Sequence, residues 1–142
     1  MALSFSAVRT EIASKIDALA GFKESRQSPD YFGRTQDTIA HKGFSVQVQS
    51  TTAIEERQRR AVGEYVSTSI RVIFAYRLRT LDIYPTDYDL AMDAEETVIN
   101  AVLESYASNN RFTLRYLGSL REVTESQEYI IIITEYNALH TI

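Results

Sequence analysis

Apolar and polar residues alternate most regularly over residues 64–80. Val66, Thr68, Ile70, Val72, Phe74, Tyr76 and Leu78 fall on one side, and Tyr65, Ser67, Ser69, Arg71, Ile73, Ala75, Arg77 and Arg79 on the other. A period of two is that of a β-strand. The first side predicts a core face. The second, with three arginines, predicts a wet face or one that meets a charged partner. At ~3.3 Å per residue the strand would run ~50 Å, so it must curve, bulge or project past the core.

The other elements read more briefly. Phe5, Val8, Ile12, Ile16 and Leu19 recur at helical spacing, which predicts a helix over residues 5–20 with Ser4 or Ser6 as its cap and Gly21 at its end. Residues 22–43 show little periodicity and predict a long irregular loop, locally basic through Lys23, Arg26, Arg34 and Lys42. Residues 44–49 alternate as a half-buried strand. Residues 51–63, centred on Glu55-Glu56-Arg57-Gln58-Arg59-Arg60, predict a charged hairpin tip or an arm that reaches a neighbour.

Pro85-Thr86-Asp87-Tyr88-Asp89 opens a second helix, with Thr86 and Asp89 as a variant capping box. Its stripe is Met92, Ile99, Val102, Leu103 and Tyr106, with Ala91 and Val98 beside it, and it runs to about residue 107. Residues 112–125 predict a strand with Phe112, Leu114, Tyr116 and Leu120 on one face. Residues 128–137 predict another, apolar on both faces at Ile130–Ile133 and so covered on both sides. Neighbouring strands pair through short connections. The expectation is one α+β domain over residues 1–142: a mainly antiparallel, curved sheet of about four strands with two helices packed on one face.

Composition narrows the function classes. The chain has 142 residues, 44% of them hydrophobic, which suits one domain with a real core. The net charge of −4 argues against a general nucleic-acid binder, which needs a basic face. The chain has no Cys, so disulfide frameworks, zinc-finger sites and thiol nucleophiles are excluded. No apolar run is long enough to span a bilayer and the N-terminus does not read as a secretory signal, so no membrane partner is expected.

Candidate chemistry is sparse. His41 and His140 stand alone, without the spacing of a metal pair. Asp87, Asp89 and Asp93 read as first-turn helix acids rather than as a calcium loop. No Gly-rich phosphate loop and no Gly-x-Ser-x-Gly occurs. Catalytic, cofactor and metal residues are therefore all assigned as none. Arg71, Arg77 and Arg79, with Tyr65 on the same face, suit a nucleic-acid platform or pairing with acids on a neighbouring strand or subunit. The acidic balance favours the second.

The sequence of features resembles the tail terminator (tail completion) proteins of long-tailed bacteriophages. The likeness rests on the first helix at residues 5–20, the loop holding Tyr31-Phe32, the strand at 44–49 and the charged stretch at 55–60. It continues through the long strand at 65–79, the helix start Tyr88-Asp89-Leu90-Ala91-Met92 and the closing hairpin that ends in 129–136. It is a likeness of architecture over nearly the whole chain, without a diagnostic motif. It implies a non-enzymatic virion protein of the tail or neck, made in the host cytoplasm. It implies a six-fold ring that caps the head-proximal end of the tail tube, stops tube polymerisation and receives the head connector or stopper protein. DNA would pass through the lumen without sequence-specific binding. On that reading Tyr31, Phe32, Arg57, Arg59, Arg60, Arg71, Arg77 and Arg79 are candidates for subunit or partner contacts. The residues also fit another neck, head-closure or tail tube protein, a small bacterial module that binds a ligand or partner, or a small enzyme.

Overall fold

A computed structural model describes residues 3–25, 40–54, 65–78, 84–109, 112–124 and 128–142. In chain order they form α1 (Phe5–Asp17), β1 (Lys23–Glu24), β2 (Gly43–Ala53), β3 (Tyr65–Arg77), α2 (Tyr84–Asn109), β4 (Thr113–Val123) and β5 (Tyr129–Thr141). The strands make one sheet in the order β1-β2-β3-β5-β4. β1 is parallel to β2, and every other pairing is antiparallel. This is the expected α+β fold, with one strand more than the expected four. The added strand, β1, lies inside the segment read as an irregular loop. Its two residues are too few for a period to register.

α1 forms where its stripe demands. Val8, Ile12 and Ile16 are fully buried, and the Ser4 hydroxyl accepts from the Ala7 N–H at 3.1 Å. The helix ends at Asp17, short of the expected residue 20. Gly21 instead makes the turn into β1 at φ +82, a conformation that favours glycine. α2 starts before the expected Thr86 cap. Pro85 is its second residue, where a missing N–H costs no intrahelical bond, and the buried Asp87 supplies first-turn acid. The buried line of α2 is Ala91, Glu95, Val98 and Val102 rather than one centred on Met92 and Ile99. Glu95 shifts that line because its carboxylate is drawn inward by an arginine of β4.

Both helices pack on one face of the sheet. Val8, Ile12, Ile16, Ala91, Val98 and Val102 join Phe44, Val46, Ile70, Val72, Phe74, Ile130, Ile132 and Tyr136 in one continuous core. Each fully buried aliphatic side chain there contributes ~1.5–3 kcal/mol relative to exposure. β3 is the central strand. It pairs with β5 along its whole length, from Tyr65 opposite Thr141 to Arg77 opposite Tyr129. As an element it spans 13 residues and ends at Arg77, one residue before Leu78, while residues 64, 79 and 80 of the expected 64–80 lie outside the described residues.

Leu3 and the end of β5 meet beside this core. The Leu3 N–H donates to the Thr141 carbonyl at 2.6 Å. His140 Nδ1 lies 3.1 Å from the Leu3 carbonyl, which only accepts, so Nδ1 carries the proton. Nε2 then accepts from the Thr68 hydroxyl at 2.8 Å, and the Phe5 ring meets the imidazole edge-on.

Candidate assembly surfaces

Three surfaces of the sheet bear on function: its outer face, the limb formed by β2 and β3, and the free edge at β4.

The outer face carries a second apolar cluster, made of Ile73, Ala75, Tyr129, Ile131 and Ile133. All five are buried, and neither helix contributes to the cluster. The arginine-bearing side of β3, expected to be wet or to meet a charged partner, is dry at Ile73 and Ala75. The cluster agrees with the two-sided burial expected for Ile130–Ile133. β3 is apolar outside as well as inside at Ile73 and Ala75 because these sit beside Ile133 and Ile131 in the register. The arginines border the cluster.

Arg71 and Arg77 share this face, on either side of Ile73 and Ala75. Arg71 sits opposite Gln47 on β2 and Glu135 on β5. Its Nε is buried and has no hydrogen-bond partner. A buried guanidinium N–H without an acceptor is costly, so this atom stands out on the face. Arg77 is exposed, and its backbone N–H donates to His41 Nδ1 at 3.0 Å. The His41 ring meets Tyr76 edge-on at 4.6 Å. Burial, helped by the positive charges of Lys42 and Arg77, holds its pKa below the ordinary 6.5. The neutral imidazole is the form that accepts the Arg77 N–H. Tyr31, Phe32, Arg57, Arg59, Arg60 and Arg79 lie outside the described residues.

On the limb, β1 covers only the start of β2, pairing with Gly43 and Phe44. From Val46 to Ala53 the outer backbone edge of β2 has no strand partner among the described residues. This stretch carries no charged side chain and ends two residues before the charged stretch 55–60 in the sequence. A shift in its pairing with β3 between Val48 and Ser50 marks a bulge, which adds local twist.

At the opposite edge β4 pairs only with β5, and its outer edge is free among the described residues. Leu117 and Leu120 are 56% and 57% exposed, and Tyr116 and Val123 are exposed beside them. A shift between Tyr116 and Gly118 leaves Leu117 as an extra, unpaired residue. The bulge corrects the expected single face of Phe112, Leu114, Tyr116 and Leu120. Leu120 pairs with Ile133, on the outer face, whereas Tyr116 pairs with Tyr136, on the helix side. The adjacent Tyr116-Leu117 pair before a glycine, which breaks the alternation, is the local sign of such a bulge.

β4 is anchored to α2 by one strong contact. Arg121 Nε and Nη2 each donate to a Glu95 carboxylate oxygen at 2.6 Å. The Glu95 side chain is only 5% exposed, and Arg121 is 42% exposed. The bond to Glu95 raises the Arg121 pKa, which keeps the pair charged. Nearby in the register, the Thr134 and Tyr136 hydroxyls are buried without a hydrogen-bond partner. Burial pushes the Tyr136 phenol above its ordinary range. Spacing along the sequence does not reveal the Glu95–Arg121 pair, because the two residues are brought together only when α2 lies across β4.

Among the described residues no group of three or more His, Asp or Glu side chains is placed to hold a metal ion. No described helix is long and apolar enough to cross a membrane. No protein family matches the chain, and no curated protein matches it either.

Proposed function

We propose that the chain is a non-enzymatic structural protein of a bacteriophage tail: a tail terminator that forms a ring on the head-proximal end of the tail tube. The observation that carries this reading is the β2–β3 limb. Among the described residues one strand edge there has no strand partner from Val46 to Ala53, two residues before the charged stretch 55–60 in the sequence, and the adjoining face holds the unpartnered Nε of Arg71. A ring of identical subunits needs two different surfaces that fit each other. A free strand edge supplies main-chain bonds to a neighbour, and a buried N–H without an acceptor is satisfied by one.

On this reading the ring is a hexamer. It stops tube polymerisation, binds the tail tube protein on one side and the head connector or stopper protein on the other, and belongs to the virion neck. DNA passes its lumen without base-specific contact, consistent with a net charge of −4 on each chain. The test is native mass spectrometry and negative-stain microscopy, alone and with tail tube protein. The expected result is six-fold rings and an end to tube growth on addition of the protein. Tubes that elongate at the same rate in its presence, with no ring at their ends, refute the reading.

A further inference from the structure

We propose that β4 pairs antiparallel with the β4 of a second copy of this chain, about a two-fold axis, so that the two five-stranded sheets become one. The edge itself asks for a partner. Proteins usually blunt a free edge by keeping it short or by lining it with charge. β4 spans 11 residues and exposes Tyr116, Leu117, Leu120 and Val123.

The occupant follows from the order of side chains along the strand. With the axis at Ser119, and Leu117 left out of the pairing as it is against β5, Leu114 comes opposite Val123, Arg115 opposite Glu122, Tyr116 opposite Arg121, and Gly118 opposite Leu120. Each match occurs twice, once on either side of the axis. Opposite charges and apolar pairs directly across an antiparallel ladder are stabilising, and an arginine beside a tyrosine ring adds a cation–π contact.

A regular strand would defeat these matches. Partners across such an axis must project from the same face, and Arg115 and Glu122 are an odd number of positions apart. The bulge at Leu117 removes the mismatch. Against β5, Arg115 pairs with Asn137 and Glu122 with Ile131, an even number of residues apart and therefore on one face. The same holds for Tyr116 and Arg121, opposite Tyr136 and Ile132, and for Leu114 and Val123, opposite Ala138 and Ile130. The irregularity that breaks the sequence pattern is what makes the strand complementary to itself.

The other free edge is a poorer fit. Between Val46 and Ala53, β2 has no charge to answer Arg115 or Glu122. Arg121 keeps its bonds to Glu95, because these use Nε and Nη2 on the helix side. Leu120 lies beside Ile133, so the joint extends the outer apolar cluster to the axis. A two-fold contact closes at two copies and leaves the β2–β3 limb free.

Sedimentation velocity over a dilution series tests the proposal with four proteins: wild type, Arg115→Glu, Glu122→Arg and the double reversal. At the dilute end of the series wild type is expected to pass from its 16.2 kDa monomer to a species of twice that mass, ahead of any ring-sized species. Each single reversal places like charges opposite twice, so the dimer dissociation constant rises by at least about tenfold. The double reversal restores the attraction and returns the constant to near the wild-type value. Wild type that stays monomeric throughout overturns the proposal. So do single reversals that associate like wild type, or a double reversal that remains monomeric while its melting temperature matches wild type.

Cysteine chemistry gives a second readout, because the chain has no Cys of its own. Ser119→Cys, which comes opposite itself at the axis, is expected to form a disulfide dimer under mild oxidation faster than Leu120→Cys, whose counterpart is Gly118. Equal rates in the two samples overturn the register. These outcomes are separate from the ring test, since head-to-tail contacts use other surfaces.

Discussion

Replacing Arg121 with Met isolates the contact that holds the edge strand to α2. Met keeps much of the aliphatic length and removes both bonds to Glu95, each 2.6 Å long. The carboxylate left behind has a side chain only 5% exposed. Breaking a fully buried ion pair by removing one partner costs ~3–5 kcal/mol, because the remaining charge is left desolvated. Here Arg121 is 42% exposed, so water reaches part of the vacated space and screens the pair, and the expected cost falls to ~2 kcal/mol. For a domain of this size that corresponds to a drop in Tm of roughly 6–8 °C.

Urea unfolding followed by far-UV circular dichroism measures the effect, with an unchanged m-value showing that only stability moved. The cause is checked with a second substitution. Adding Glu95→Leu to Arg121→Met removes the stranded carboxylate, so most of the lost stability should return. The reasoning is refuted if Arg121→Met lies within ~0.5 kcal/mol of wild type, the range of ordinary surface substitutions. It is also refuted if the double variant is less stable than Arg121→Met alone.

Ile131→Ala, on the outer face, is expected to cost ~2–5 kcal/mol, the same range as Ile132→Ala on the helix face, because both side chains are buried. Equilibrium unfolding of the pair checks this, and an Ile131→Ala cost under ~1 kcal/mol would contradict two-sided burial. His140 has its pKa held below 6.5 chiefly by burial, with the bonds to Leu3 and Thr141 opposing. The unfolded chain therefore takes up the proton first. Stability from this residue is complete above pH 6.5 and declines as the pH falls from there through the lowered folded value. A pH series of melts on wild type and His140→Gln should show that part of the slope only in wild type. Ser4→Ala removes the acceptor for the Ala7 N–H and should destabilise by ~1 kcal/mol, read from the urea midpoint.

Local periodicity carried a large part of the fold. The spacing of Val8, Ile12 and Ile16 and the alternation from Val66 to Leu78 each reflect one element burying one face, and a repeat within a short window suffices to read that. Two-sided burial of β5 was legible for the same reason, since an unbroken apolar run has no face to leave wet. Much less of the candidate surfaces could be read. Arg71 and Arg77 were recognisable as sharing a strand face, but nothing in the spacing says that Ile73 and Ala75 between them are buried, or that Arg71 Nε lacks an acceptor. Those facts depend on which residues of β2 and β5 come alongside.

By itself the sequence determined the α+β class, both helices, the central strand and the absence of any thiol chemistry. These follow from repeats of two and of three to four residues and from composition, which need no knowledge of distant neighbours. Tertiary structure alone decided the strand order, the parallel β1, the Glu95–Arg121 anchor and the face on which each residue of β4 lies. The last point turns on one extra residue at Leu117. A bulge reverses the side of every side chain beyond it, and its position is set by pairing with β5, far along the chain, rather than by the residues of β4 alone.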